Sequence, residues 1–383
     1  MRVAINAWFW NSPTTGSGQY TRRVVEHLEA IAELEILLIA PDGYGFQVAK
    51  FQASGSEKPE TLNLKPKPGN LSKVGFEQIA FPRACRRLHV DVAHVPYWAP
   101  PLRPTIPTVV TIHDLIPLLL HEYRGGPLVQ LYTALVGYAA RSATRVLTDS
   151  EFSRQDIIAH LSLAQDHVRA VYLAGGDNYT PTPAPSDTDV RTRYSLPERY
   201  VLYLGGFDVR KNVAALIDAY HCAAPSIGET HPLVIAGQLP ANDTPFAPDP
   251  RRLAQEHGLD ERIVRFIDFP DDADKPALYR GATAFIFPSR YEGFGLPPLE
   301  ALACGTPVVG SDTSSIPEIV GDGGLLLSPD DVEGMAQALV KLVTDVEFRT
   351  ELSRRALAQA ARFSWEQTAR ETLAAYRDAA SRI

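Results

Sequence analysis

Two series of short apolar runs, each alternating with stretches of helical length, constrain this chain more than any other feature. Such alternation is the pattern of parallel α/β layers. In the first half, Arg2–Asn6, Leu34–Ile39, Val90–His94, Thr108–His113 and Arg145–Thr148 predict strands, and Tyr20–Ile31 and Leu128–Ala143 predict helices. A second series begins at "YVLYLGG" and a helix from about Asn212 to His221. It continues through "PLVIAG", "IVRFIDF", "TAFIFPS" and "PVVGSD". Beyond Pro329 the chain is expected to be helical to its end, with Trp365 opening the last amphipathic segment. Between the series, "AGGDNYTPTPAPSDTD" is rich in Pro, Gly, Thr and Asp without any period, and reads as a linker.

The expected architecture is therefore two Rossmann-like lobes. Ligands of open α/β sheets sit outside the carboxyl ends of the strands, so the unusual residues at those ends are the place to look for a site.

A length of 383 residues agrees with two domains of ordinary size. A formal charge of −8 argues against a nucleic-acid partner, whose footprint is basic. Cys85, Cys222 and Cys304 are an odd, widely spaced set with no C-x-x-C. They point to a reducing cytoplasm and to neither a disulfide framework nor a zinc site. No secretory leader is read at MRVAINAWFW, and no apolar run reaches the ~18 residues that span a bilayer. The expected place of work is the cytoplasm, with peripheral contact at the inner membrane face left open.

The densest motif is "YEGFGLPPLEALACGTPVVGSD", from Tyr291 to Asp312. Gly293 and Gly295 punctuate a turn, Pro297 and Pro298 pre-set φ for a helix start, and Gly305 stops that helix. Glycines at a helix N-terminus let backbone N–H groups approach an anion. Glu292 and Glu300, with seven residues between them, would flank such an anion and not occupy its place. A carboxylate only accepts hydrogen bonds, so it suits paired hydroxyls. One anion between two sets of vicinal hydroxyls describes a nucleotide sugar. The plainer reading makes Glu292 a turn residue and Glu300 a glutamate that favours the helix dipole.

This stretch resembles the E-x7-E signature of the retaining glycosyltransferases of family 4, which have the GT-B fold. "GSGQYTRRVVEHL", "VDVAHVPYWAPP", "PTVVTIHDLIPLLL", "TDSEFSRQDI", "LYLGGFDVRKNVAALIDAY" and "EIVGDGGLLLSPDD" match the same family in order, most like its mannosyltransferase branch. The resemblance implies an acceptor lobe over 1–175, a linker over 176–195 and a nucleotide-sugar lobe over 196–364. The helix over 365–383 is expected to return to the first lobe.

The site residues follow from that likeness and from chemistry. Arg210 and Lys211, after the Gly205–Gly206 turn, suit a diphosphate as fork and point charge. Gly206, Gly293, Phe294, Gly295 and Leu296 are expected to line the donor with backbone. His113, at a strand end beside Asp114, corresponds to the histidine that approaches the donor sugar in the family, with Asp114 bracing its loop. Gly16 and Gly18 are expected to turn backbone amides toward the diphosphate. A dinucleotide loop there is unsupported, because no acidic residue ends a second strand. Tyr97 and Trp98, with Trp8 and Trp10, form either an acceptor platform or interior packing. Ser153 with Asp156 has capping-box spacing.

No cofactor and no metal are expected. The two D-x-D strings, at Asp187–Asp189 and Asp272–Asp274, read as solvated acid in the linker and in a loop. The implied reaction is front-face transfer of a hexose, with Glu292 on its hydroxyls and Glu300 on the ribose. GDP-mannose is the favoured donor and UDP-glucose the alternative. The acceptor is a glycan or lipid-linked saccharide, for which the basic stretch 63–88 is one candidate surface. A nucleotide-sugar epimerase or hydrolase and a non-catalytic sugar-binding protein are the rival readings.

Overall fold

The computed structural model describes residues 1–12, 15–31, 33–42, 45–51 and 70–382. The chain divides into two compact units. Unit 1 comprises Met1–Leu173 with Ser364–Ile383, and unit 2 comprises Ala174–Phe363.

Unit 1 is built on seven strands: β1 (Arg2–Asn6), β2 (Glu35–Asp42), β3 (Gly45–Phe51), β4 (Val92–Val95), β5 (Thr108–Thr111), β6 (Arg145–Thr148) and β7 (Val168–Ala170). Their order is β3-β2-β1-β4-β5-β6-β7. All neighbours are parallel except β2 and β3. The strand interiors are apolar on both faces, as a parallel sheet covered by helices requires. β3 and β7 were not expected from the sequence. β3 is a half-exposed edge strand, and β7 is only three residues long. Residues 63–69 of the basic stretch lie outside the described residues, and the rest of it is helical from Asn70 to Arg87.

The helix Trp365–Ala380 completes unit 1. Its Tyr376 hydroxyl lies 2.7 Å from His94 Nδ1 on β4, and Thr368 donates to the Tyr172 carbonyl at 2.6 Å. His94 Nε2 meets the Thr111 hydroxyl at 2.9 Å. Full burial pushes the imidazole down to about 3, so His94 is neutral and serves as a structural link.

Unit 2 carries six parallel strands: β8 (Val201–Leu204), β9 (Leu233–Gly237), β10 (Val264–Asp268), β11 (Ala284–Phe287), β12 (Val308–Ser311) and β13 (Gly324–Leu327). The order is β10-β9-β8-β11-β12-β13. The strand order therefore reverses between β8 and β11, and the loops leaving the two strands diverge at that switch point.

The stretch expected as a periodless linker contains a helix, Asp187–Arg193, and each D-x-D string is solvated at one aspartate only, Asp189 and Asp272, while Asp187 and Asp274 are engaged. Arg280 grips both oxygens of Asp187. Asp274 is buried and accepts from Arg193 at 2.5 Å and from the Tyr194 hydroxyl at 2.8 Å. These carboxylates fasten the segment to the helix Lys275–Gly281. Burial of an aspartate demands such partners, and composition alone does not show them.

Candidate functional site

The loops that leave β8 and β11 bring four charged side chains together. After β8 the chain turns through Gly205 and Gly206 into a short 3-10 turn, Val209–Lys211. Asn212 then adopts left-handed geometry (φ 56°) and opens the helix Val213–Ile227. Its amide fixes the turn by donating to the carbonyls of Pro288 (3.2 Å) and Pro329 (2.7 Å). The backbone N–H of Arg290 donates to the Arg210 carbonyl at 2.8 Å, joining the two loops directly.

Glu292 lies against both cations. Lys211 Nζ donates to its Oε1 and Arg210 Nη1 to its Oε2, each at 2.6 Å. Arg210 also donates to the Tyr291 carbonyl at 2.9 Å, and Asp208 lies 3.4 Å from its Nε. Lys211 and Glu292 are both buried, and the Lys211 ammonium sits 5.0 Å from the centre of the Phe287 ring. Burial works against the charge of Glu292, but Lys211 and Arg210 outweigh it and hold the carboxyl below its usual range. Glu292 was expected to flank the place of an anion; here it is paired with Arg210 and Lys211, the two cations expected to hold that anion. A buried lysine without an anion is costly, and this carboxylate is the one in reach.

The next residues form a rigid backbone cradle. Gly295 has φ +115°, and a Cβ there would press on Ile316 at 3.0 Å, so this position requires glycine. The helix Leu296–Ala303 follows with Pro297 in its first turn. Ser315 locks the loop by donating to the carbonyls of Glu292 and Phe294. Phe294 is buried edge-to-face on Phe363, so its side chain is a packing group. Gly293 is buried in the same loop, and Leu296 is half-buried at the helix start. Gly206 is exposed, and a Cβ on it would meet only ordinary contacts.

Glu300 lies in the second turn of that helix, half-buried, and accepts from the Tyr279 hydroxyl at 2.9 Å. Burial raises its carboxyl to about 7, with Lys275, Tyr279 and Tyr179 opposing the rise. Tyr179 stands edge-to-face on Tyr279, with centroids 5.9 Å apart. Neither tyrosine was singled out from the sequence, because Tyr179 falls in the stretch read as linker and Tyr279 in an unremarked helix.

Unit 1 holds a second polar pair at strand ends. His113 Nδ1 lies 2.7 Å from Asp149 Oδ2. β5 and β6 pair with Val109 opposite Arg145 and Thr111 opposite Leu147, and the same offset places His113 opposite Asp149. Asp114 accepts from the Ile116 N–H at 2.9 Å, in keeping with the expectation that it braces the loop. Burial opposes charging of His113, but the Asp149 carboxylate and, farther off, Asp114 hold it above the usual histidine range. Nδ1–H therefore donates to Asp149, and a backbone contact with Pro96 adds to the rise.

Other candidates in unit 1 are structural. A Cβ at Gly18 would lie 2.0 Å from the Ser12 carbonyl oxygen, and the Gly18 amide donates to the Thr15 hydroxyl that caps the helix Gly16–Glu29. Its amide is thus engaged within its own loop, while Gly16 is exposed at the helix start with open space around it. Trp8, Trp10 and Tyr97 are buried, and Tyr97 packs edge-to-face on Phe9, so they are interior packing. Trp98 is half-buried. Ser150, not Ser153, caps the helix Glu151–Leu161 by accepting the Ser153 N–H. Among the described residues, no cluster of three or more His, Cys, Asp or Glu is placed to hold a metal.

Two family models match the chain: "Glycosyltransferase Family 4" over residues 14–174 and "Glycosyl transferases group 1" over residues 189–359. The O-antigen chain mannosyltransferase B of Escherichia coli is 31% identical over 380 residues, spanning 95% of this chain and 96% of that protein. The serotype-specific mannosyltransferase WbdA of Escherichia coli is 35% identical over 265 residues, which cover 68% of this chain and 32% of WbdA. Among solved structures, sucrose-phosphate synthase from Thermosynechococcus elongatus has a TM-score of 0.72 at 21% identity, covering 98% of each chain. WaaG, a glycosyltransferase of lipopolysaccharide biosynthesis, has a TM-score of 0.69 at 16% identity, covering 97% of this chain and 98% of WaaG. These likenesses show a GT-B arrangement of two Rossmann-like domains. The chain belongs to the group 1 glycosyltransferases of family 4.

Proposed function

We propose that the protein transfers a hexose, mannose from GDP-mannose, to a glycan or lipid-linked saccharide in O-antigen-type assembly, with retention of anomeric configuration. The observation that carries this reading is the Arg210–Glu292–Lys211 cluster at the β8/β11 switch point. Two cations set side by side match a diphosphate, and a carboxylate already bound to them is positioned to exchange partners. When the diphosphate takes Arg210 and Lys211, Glu292 is released to accept hydrogen bonds from hexose hydroxyls. The mannosyltransferase relatives favour mannose, and the 31% identity over nearly the whole chain favours an O-antigen-type acceptor.

In the proposed step, the bond between the anomeric carbon and the diphosphate oxygen breaks as the acceptor oxygen attacks the same face. The acceptor proton passes to a diphosphate oxygen, so no protein nucleophile is needed. Arg210 and Lys211 stabilise the charge that develops on the leaving group. Glu300 accepts from the ribose hydroxyls, and the backbone of Gly293–Leu296 lies along the donor. His113, oriented through Asp149, donates from Nε2 to the transferred sugar. The cations make a metal unnecessary in this scheme, and activity is expected to survive EDTA.

The test is incubation with GDP-mannose or UDP-glucose and a saccharide acceptor, followed by NMR assignment of the new anomeric centre. An α-linked mannoside supports the reading. A β-linked product overturns retention, and glucosyl transfer overturns the donor.

A further inference from the structure

The Tyr20 ring stands edge-to-face against the His113 imidazole, with centroids 4.9 Å apart and planes at 81°. Tyr20 is buried on the helix Gly16–Glu29. Asp149 holds His113 by one atom, Nδ1, and the Pro96 backbone bonds it as well. Bonds at ring nitrogens fix the edge of an imidazole, but they leave its plane free to tilt about them. A second ring packed at right angles sets that plane.

Tyr20 is in turn held by a chain of polar groups that ends on the last helix of unit 1. Its hydroxyl lies 3.0 Å from Thr111 Oγ1, which lies 2.9 Å from His94 Nε2. His94 Nδ1 lies 2.7 Å from the Tyr376 hydroxyl, on the helix Trp365–Ala380. Thr372 of the same helix also hydrogen-bonds Tyr20. Tyr20, Thr111, His94 and Tyr376 are all buried. The two helices meet again where His27 stacks on Trp365, with centroids 6.0 Å apart. A buried polar chain is costly unless every member is paired; when paired, it rigidifies its surroundings. Packing alone would be served about as well by apolar side chains of the same shape. The chain therefore marks a place where orientation counts.

We infer that Tyr20 is a positioning residue for His113, and that the helix Trp365–Ala380 sets it through His94 and Thr111. The inference rests on the proposed role of His113 and adds the element that fixes its ring plane. The titratable groups that face the imidazole are Asp149, Asp114, His94 and Tyr20. Burial keeps His94 neutral and the Tyr20 phenol protonated, so these two act on His113 by geometry and not by charge. A transferring group must sit within a fraction of an ångström of its working position, which is what a third restraint on the ring supplies.

The test compares Tyr20→Leu, Tyr20→Phe and Tyr376→Phe in the full chain, by transfer kinetics and by NMR of ring-labelled histidine. Tyr20→Leu removes the ring and should lower kcat about tenfold to a hundredfold, with the donor KM unchanged and the His113 resonances displaced. Tyr20→Phe keeps the ring and loses its anchor, and Tyr376→Phe breaks the chain two links further off. Each should lower kcat about threefold, the equivalent of one hydrogen bond. In a His113→Ala background, Tyr20→Leu should add no further loss, because no imidazole is left to orient. A purely structural role would give the same loss in both backgrounds, and that result overturns the inference. A folded Tyr20→Leu with wild-type kcat overturns it too. Should Tyr20→Leu fail to fold, Tyr20→Phe decides, and unmoved His113 resonances overturn the inference. Full activity of His113→Ala overturns the role of His113 in the reaction. The resonances report on its positioning with no substrate present, so the two failures are distinguishable.

Discussion

Lys211 Nζ and Glu292 Oε1 are 2.6 Å apart, and this contact joins the loop after β8 to the loop after β11. Arg210 holds the other carboxylate oxygen at the same distance, so one buried glutamate neutralises part of two cations. The cluster is both a brace for the switch point and the proposed seat of a diphosphate. These two duties make opposite demands on Glu292, and substitutions should separate them.

Glu292→Gln removes the negative charge between two cations. It should lower folding stability by about 2–4 kcal/mol, because Lys211 is left buried beside a neutral partner. The same change frees the cations, so GDP should raise the melting temperature of Glu292→Gln more than that of wild type. Transfer should nonetheless fall at least a hundredfold. Melting curves with and without GDP, read beside initial rates, check all three.

Lys211→Ala should weaken GDP binding by about tenfold to a hundredfold, the range expected for losing a charge-assisted contact of about 1.5–3 kcal/mol. Arg210→Lys tests the fork separately: it keeps the charge but loses bidentate geometry, and should impair binding less than Arg210→Ala. Calorimetric titration with GDP gives both comparisons. Equal binding by all three variants would remove the cations from the donor site.

Asp149→Asn should act through His113. The folded-state value of His113 is raised, so the pair stabilises the protein fully below about pH 6.5 and loses that contribution as pH climbs through the raised value. The stability lost by Asp149→Asn should therefore be about 1–2 kcal/mol at pH 6 and smaller at pH 9. If protonated His113 serves the reaction, the alkaline limb of the kcat profile should move to lower pH in the variant. Denaturant melts at the two pH values and a pH–rate profile read these effects.

Glu300→Gln should move stability and binding in opposite directions. Burial raises the Glu300 carboxyl to about 7, above its unfolded value near 4.5, so ionisation costs stability as pH rises through 7. The variant should be more stable than wild type by about 1–3 kcal/mol at pH 8 and nearly equal at pH 4. It should also bind GDP more weakly, because an amide offers one acceptor oxygen where the carboxylate offers two. Melts across pH with parallel GDP titrations distinguish this from a purely structural role.

The strands that form the cores of both sheets were legible because a parallel strand buried on both faces is an unbroken apolar run. β3, β7 and β13 were not, since edge strands that are this short or this exposed carry too little pattern. The candidate site was legible at Arg210, Lys211 and Glu292 as residue types, but their mutual contact was not. A carboxylate and two cations, 81 and 82 residues away in the chain, meet only because β8 and β11 are neighbours. Asp149 was overlooked for the same reason. Its register opposite His113 is a property of β5 and β6 together, whereas Asp114 is adjacent in the chain and faces its own loop. The acidic strings at Asp187 and Asp274 show the converse: two motifs that read as surface acid are fastened to Arg280 and Arg193.

The most direct measurement is the thermal shift of the purified protein with GDP, UDP and ADP in turn, in the presence of EDTA. The account predicts a clear rise in melting temperature with GDP, a smaller one or none with UDP and ADP, and loss of the GDP response in Lys211→Ala. No shift with any of the three nucleotides would contradict the assignment of Arg210, Lys211 and Glu300 to a nucleotide-sugar site.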